Sequence, residues 1–248
     1  GHEFSEALNG ENGFWVSVQE LSKDPTNSVN QNLFVTKAYE FITRAQAVYK
    51  SLREYQQNLN KTVVTDVNKI NAYAKEIQAL NEKIISVEAG VEKANDLRDR
   101  RNYLLDELAS YVPIQVNYRD EYLNAAKTEK VDVLEVYMIQ ADGTKVKLID
   151  HDQTGEFQAP VTTKAPTAND SFTELKLKHL GNPDDNPPVP GEMNISELAG
   201  ANGDERKLYI NGGTFAGTLN MLNSSGVFDG DATTEKGLGY YEKAFDLM

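Results

Sequence analysis

The sequence predicts an α+β fold: a long antiparallel helical, coiled-coil rod with an inserted small, mostly antiparallel β domain. Apolar residues repeat at helical spacing over about the first 110 residues, alternate from Val112 onward, and return to helical spacing near residue 211. A pattern that changes from helix to sheet and back places the sheet between helical parts. We therefore expect a helical rod over 1–111, a β-rich domain over 112–210, and a return segment over 211–248 that packs on the rod.

The first predicted helix covers Asn12–Ser22 and places Trp15, Val18 and Leu21 on its apolar face. It ends at Asp24-Pro25, because proline disfavours the helical conformation of the residue before it. We expect this helix to pack against the rod.

A single helix is predicted over about 29–89, where the sequence contains neither proline nor glycine. Apolar residues follow one another in steps of four and three, the heptad spacing of a coiled-coil seam. At the helical rise, such a helix is roughly 90 Å long and needs neighbours along its length. We expect the seam to be mainly core within one chain, and it includes Phe34, Phe41, Val48, Leu52, Leu59, Ile70 and Ile77.

A second helix is predicted over about 95–111. Gly90 permits the turn before it, and Asn95 or Asp96 is a suitable capping residue. Its apolar face contains Leu97, Leu104, Leu108 and Tyr111.

Strands are predicted from Ile114 to Tyr118 and from Val131 to Ile139, and Asp142-Gly143 indicates a hairpin with a type I′ turn before Val146. Two further strands are predicted at 172–180 and 207–210. The four prolines between Gly181 and Gly191 indicate an exposed loop. After the turn at Asn211–Gly213, helices are predicted at 214–222 and from Tyr240 to the end of the sequence.

The composition argues against several classes of partner and site. Lysine and arginine total 25 against 38 aspartate and glutamate, so the net charge of −13 opposes binding to nucleic acid or an anionic membrane surface. No segment is apolar enough for membrane insertion. The absence of cysteine excludes disulfides and thiolate chemistry.

The sequence gives no catalytic or cofactor motif. His151 and His179 are isolated, and neither a nucleophile elbow nor a phosphate-binding loop is present. Asp229-Gly230-Asp231 with Glu235 lacks the spacing of an EF-hand and is interpreted as a polar loop. We predict no enzyme activity, no cofactor and no metal site.

The charged segment from Asn95 to Ala109 carries a family resemblance. Its run Asn-Asp-Leu-Arg-Asp-Arg-Arg-Asn-Tyr-Leu-Leu-Asp-Glu-Leu-Ala resembles the signature of flagellar hook-associated protein 1, the FlgK family. The runs Gln19–Thr26 and Gly212–Leu219 resemble the family's early helix end and its Gly-Gly turn, although Phe215-Ala216 and the region 150–206 depart from the pattern.

The resemblance implies a non-catalytic structural protein of the hook–filament junction, needed for filament assembly. Such a protein is exported through the flagellar secretion apparatus and becomes extracellular. The resemblance also implies contacts with the hook protein and other hook-associated proteins, and self-assembly of the full-length protein through terminal regions. We expect this chain to be an internal fragment without those regions, and hence monomeric.

The residues expected to carry the family's structural role are those of the two motifs. Arginines there can fix a turn or a neighbouring subunit through bidentate carboxylate contacts, or they can simply form a solvated charged face. The motif residues are Asn95, Asp96, Leu97, Arg98, Arg100, Arg101, Leu104, Leu105, Asp106, Leu108, Gly212 and Gly213.

Two other functions are compatible with the patterns. One is an adhesin-like or antigenic binding module, in which a helical stalk displays the β domain to a ligand. The other is a different flagellar axial protein, either flagellin or another hook-associated protein.

Overall fold

The computed structural model describes residues 2–90, 93–122, 130–158, 175–199 and 205–223. The chain divides into two compact units, one built on the residues up to Gln57 and the other beginning at Asn58. The fold is α+β with one very long helix and antiparallel sheets, which confirms the predicted class.

The first unit contains helices α1 (His2–Asn9) and α2 (Phe14–Lys23). Phe14 packs against the seam of the following helix, with ring centroids 5.6 Å from both Phe34 and Phe41. Trp15 was predicted to lie on this inner face and does not, because 55% of its surface is exposed. Helix α2 ends at Lys23 with Asp24 as its C-cap, because the proline that follows disfavours the helical conformation at Asp24.

Helix α3 runs from Ser28 to Glu88 without interruption. Its seam residues up to Leu59 are half-buried in most cases, whereas those from Val63 to Ile84 are almost completely buried. The buried set of the later part comprises Val63, Val67, Ile70, Ala74, Ile77, Leu80 and Ile84.

In the second unit, helix α4 (Asn95–Tyr111) runs antiparallel to the later part of α3. Side-chain contacts fix this direction, since Glu88 pairs with Arg98 near one end and Lys69 bonds Tyr111 near the other. The predicted cap at Asn95 or Asp96 is wrong: Ala94 holds that position, and a Glu88 carboxylate oxygen accepts its backbone N–H at 3.3 Å.

A three-stranded antiparallel sheet follows, in the order β1 (Ile114–Tyr122), β2 (Lys130–Ile139), β3 (Lys145–Ile149). The predicted hairpin between β2 and β3 exists, but its turn is not the expected two-residue type. Gly143 donates to the carbonyl of Gln140 and has φ +86°, and Gln140 donates to Thr144. The loop therefore has three residues with glycine last, as in a type I turn with a bulge.

A second antiparallel sheet has the order β4 (Glu156–Gln158), β5 (Leu175–His179), β6 (Gly191–Ala199), β7 (Glu205–Leu208). Strands β4 and β6 were not predicted, and residues 172–174 of the predicted strand 172–180 lie outside the described residues. The Pro-rich segment 181–190 contains no strand. The sheets are joined where Lys147 exchanges backbone hydrogen bonds with Leu180 and Gly181, at 2.9 and 2.8 Å.

Helix α5 (Gly213–Asn223) packs against α4 and β7. The Phe215 ring meets the Phe157 ring edge-to-face at 6.0 Å, and Thr214 donates to the Ser110 carbonyl. The rest of the return segment, including the predicted loop at 229–235 and the helix from Tyr240, lies outside the described residues. Within the described ranges, no helix has the length and apolarity needed to cross a membrane.

Candidate functional site

Arg98 closes the turn between α3 and α4. Its guanidinium binds Glu88, the last residue of α3, in a bidentate pair, with Nε 2.7 Å from one carboxylate oxygen and a terminal nitrogen on the other. The hydrogen bond from Arg98 outweighs partial burial and lowers the pKa of Glu88. Because bidentate pairs are directional as well as strong, this contact sets how α4 leaves the turn.

Arg101 is almost completely buried, with 2% of its surface exposed. One terminal nitrogen donates to the Asn81 side chain at 2.9 Å, and the guanidinium lies 5.9 Å from the Tyr118 ring centroid. Its Nε has no protein partner, and burial lowers the pKa of the side chain. Arg101 therefore links α3, α4 and β1 from inside the unit.

The other charged motif residues differ from these two. Arg100 is half-exposed and pairs with Glu76 at 2.8 Å, and Asn95, Asp96 and Asp106 are exposed. Within α4 the apolar motif residues face inward: Leu104, Leu105 and Leu108 are buried and Leu97 is half-buried. The motif thus combines one inward arginine, one arginine at the turn and one on the surface.

The Gly212-Gly213 turn brings α5 close to the end of α4. Both glycines have positive φ, +127° and +76°. A side chain at Gly213 would place its Cβ 2.2 Å from the Tyr111 carbonyl oxygen. Only glycine combines this backbone conformation with such a close approach.

Two asparagines on α3 attach the sheets to the helix, and neither was singled out from the sequence. The Asn71 amide donates to the Phe157 carbonyl at 2.7 Å and accepts the Phe157 N–H at 2.9 Å, as a neighbouring strand would. Asn81 donates to the Leu134 carbonyl of β2 at 3.3 Å while it accepts from Arg101. An asparagine in a helical pattern gives no local signal for such a contact.

A network of charged side chains lies on one face of the β1–β2–β3 sheet. Glu135 accepts from Lys147 at 2.7 Å and from Arg119 at 2.8 Å, and Asp150 accepts from the same two residues at 2.9 Å each. The hydroxyl of Tyr137 donates to Glu135 at 2.7 Å. All acidic and basic groups of this network are therefore paired with an opposite charge.

The pairing shifts the titration of the network. Burial alone would raise the pKa of Glu135 and Asp150, but hydrogen bonds from Lys147 to both, from Tyr137 to Glu135 and from Arg119 to Asp150 hold each pKa below its usual value. Burial and the bond to Glu135 raise the pKa of Tyr137 to about 12. At neutral pH the network is thus fully ionised with a protonated tyrosine, as expected of a structural ion cluster rather than of a proton donor poised near neutrality.

His151 lies beside this network, with Nδ1 3.4 Å from Asp150 and 3.5 Å from Glu121. Among the described residues, no group of three or more histidine, aspartate or glutamate side chains has an arrangement that could hold a metal ion.

Comparisons with known proteins identify the family. The model of the FlgK helical domain, described as "Flagellar hook-associated protein FlgK helical domain", matches residues 5–229, which is most of the chain. The chain belongs to the FlgK helical-domain family. The match extends from α1 past the end of α5, and includes the Arg98–Arg101 segment and the Gly-Gly turn.

Individual relatives agree with this family. The chain is 32% identical over 114 residues to flagellar hook-associated protein 1 of Bacillus subtilis, and 30% identical over 120 residues to that of Salmonella typhimurium. These alignments cover 46% and 47% of this chain but only 22% of each relative. The chain thus spans about a fifth of the length of the curated FlgK relatives that it matches.

A solved structure shares the fold. The flagellar hook junction protein FlgK from Burkholderia pseudomallei superposes with a TM-score of 0.55 at 17% identity, over 84% of this chain and 31% of that one. At this identity the likeness concerns the fold alone.

Proposed function

We propose that this chain is a structural part of the hook–filament junction of a bacterial flagellum, needed for filament assembly. The observation that carries the proposal is the match of the FlgK helical-domain model to residues 5–229. We further propose that the protein is exported to the outside of the cell, that it contacts the hook protein and other hook-associated proteins, and that it performs no catalysis.

The contacts of the second unit suit a part that must transmit force without changing shape. The later half of α3 is attached to β4 through Asn71, to β2 through Asn81 and to α4 through Glu88. These contacts are distributed along the helix, so many have to break together before the unit deforms. The family match also favours this function over a displayed binding module or a flagellin.

We propose structural roles for the residues of the two motifs and of the seam. Arg98 and Arg101 fix the antiparallel return of α4, and Gly213 fixes the approach of α5 to it. The seam from Phe34 to Ile77 supplies the helix face on which neighbouring elements pack. We propose that these residues act inside the protein rather than as contacts to another subunit.

The experiment is deletion of the gene in its own bacterium, followed by complementation with the full-length protein. We expect the deletion strain to make hooks without filaments in electron micrographs, and the complemented strain to regain filaments and motility. Attachment of the same strains to host cells is measured in parallel. Normal filaments in the deletion strain, with attachment lost, would instead support the adhesin-like function.

A further inference from the structure

The sequence contains four Asn-Gly pairs, and three of them lie in the described part of the chain: Asn9-Gly10, Asn12-Gly13 and Asn211-Gly212. Asparagine is a chemically labile residue, and a following glycine leaves the next backbone nitrogen without a side chain to shield it from the asparagine amide. The asparagine of each described pair is exposed, so access to water does not distinguish the three.

The backbone N–H groups of the three glycines do distinguish the pairs. Gly10 donates to the Glu6 carbonyl and Gly13 to the Gly10 carbonyl, each at 2.8 Å. Within the ranges that the structure describes, the N–H of Gly212 makes no hydrogen bond. A nitrogen can attack a carbonyl only after it gives up its proton, and a hydrogen bond that holds this proton opposes the reaction. The nitrogen of Gly212 is therefore the one that is available.

The turn before α5 explains why Gly212 is left open. Its φ of +127° is a conformation that residues with a side chain rarely adopt. A Cβ at Gly212 would come no closer than 3.8 Å to Pro113, so no packed neighbour covers the nitrogen from that side. The backbone conformation that requires glycine thus also removes the group that would shield its nitrogen.

We propose that Asn211 is a site of spontaneous deamidation in the folded protein. The deprotonated nitrogen of Gly212 attacks the side-chain carbonyl carbon of Asn211, and a new carbon–nitrogen bond closes a succinimide ring. The bond to the amide nitrogen breaks, and ammonia leaves with the proton that the backbone nitrogen gave up. Water then opens the ring at one of its two carbonyls and leaves either aspartate or isoaspartate. One water is consumed for each ammonia released, and nothing is oxidised or reduced.

The isoaspartate product disturbs the start of α5, because it lengthens the backbone by a methylene group directly before the turn. The turn has no room for this change. A side chain at Gly213 would place its Cβ 2.2 Å from the Tyr111 carbonyl oxygen, and Thr214 donates to the Ser110 carbonyl at 3.1 Å. Formation of isoaspartate therefore weakens the packing of α5 on the end of α4, whereas the aspartate product keeps the ordinary backbone.

The reaction is tested by incubating the purified chain in oxygen-18 water at mildly alkaline pH. Peptide mass spectrometry then gives the fraction of heavy oxygen at each asparagine, which separates true ageing from changes during digestion. We expect Asn211 to react at least about fivefold faster than Asn9 and Asn12, since a hydrogen bond has to break first at those two sites. In urea, where the fold is absent, the three should react at similar rates.

Two results would overturn the assignment of the site. Reaction of Asn9 or Asn12 as fast as Asn211 in the folded chain would show that the glycine hydrogen bonds do not control it. A preference for Asn211 that persists in urea would assign it to the neighbouring sequence rather than to the turn.

The effect on α5 is measured by hydrogen–deuterium exchange of residues 213–223 before and after ageing. We expect faster exchange in the aged protein, and no change in aged Asn211→Gln, whose longer side chain closes such a ring much more slowly. Asn211→Asp is the matched control, because it has the new charge with an ordinary backbone and should exchange as the fresh protein does. Unchanged exchange in the aged protein would overturn the weakening of α5. Neither measurement depends on the proposed function.

Discussion

The two halves of α3 share a heptad pattern but differ in what that pattern buries. From Val63 to Ile84 the seam is closed by α4 and by both sheets, and the helix carries polar attachments at Asn71 and Asn81. From Phe34 to Leu59 most seam residues remain half-exposed. Because the stability of a helix in a protein comes mainly from packing of its apolar face, the same sequence period has different energetic consequences in the two halves.

The largest expected difference in stability is between two variants that each replace an apolar seam residue by aspartate, one in each half of α3. Ile70→Asp buries an unpaired carboxylate and should lower the free energy of unfolding by about 4 kcal/mol, whereas Leu52→Asp should cost about 1 kcal/mol. Urea denaturation followed by circular dichroism measures both. Equal losses would show that the first half is as tightly packed as the second.

The attachment of the helix to β4 is tested by Asn71→Ala. The substitution leaves the N–H and C=O of buried Phe157 without their partner and should cost about 2 kcal/mol. Asn68→Ala, on the exposed side of the same helix, is the control and should change stability by less than about 0.5 kcal/mol. A neutral Asn71→Ala would mean that water replaces the amide at little cost.

The ion network predicts acid sensitivity of the second unit. The carboxyl pKa values of Glu135 and Asp150 are lowered in the folded state, so their contribution is present above the unfolded value near pH 4 and is lost as the pH falls through the folded values. Asp150→Asn should cost about 2 kcal/mol at pH 7, and this cost should begin to fall only below about pH 4 and only gradually, because the folded pKa of Asp150 lies well below its usual value. Urea midpoints of the variant and the unmodified protein, measured from pH 7 to pH 3, test this expectation. Asp184→Asn is an exposed control. A loss of stability in Asp150→Asn that does not change with pH would argue against a contribution from ionisation of Asp150.

The smallest effect concerns the turn that follows α3. Arg98→Ala removes the bidentate contact to Glu88 and should cost about 1 kcal/mol, because both side chains are only partly buried. Arg100→Ala removes a half-exposed pair with Glu76 and should cost less than about 0.5 kcal/mol. Thermal unfolding of the two variants compares the two losses directly. A larger loss in Arg100→Ala than in Arg98→Ala would show that the contact of Arg98 with Glu88 is the less important one.

The sequence predicted those elements in which the apolar pattern repeats over enough residues to be recognised. Helix α3 and strands β1 and β2 follow extended patterns, but β4 has only three residues and β6 interrupts its alternation with polar side chains. The buried position of Arg101 did have a signal, since it continues the step of four from Leu97 and precedes Leu104 by three. The asparagine contacts to Phe157 and Leu134 had none, because their partners are backbone groups 86 and 53 residues away.

The position of Asn71 also bears on solubility. Strand β4 is the outermost strand of its sheet, and an open strand edge can pair with the same edge of another molecule and begin aggregation. The amide of Asn71 occupies the N–H and C=O of Phe157 at the centre of that edge. The Asn71 side chain therefore blocks pairing of β4 with a strand of another molecule. We expect Asn71→Ala to promote aggregation as well as to lower stability.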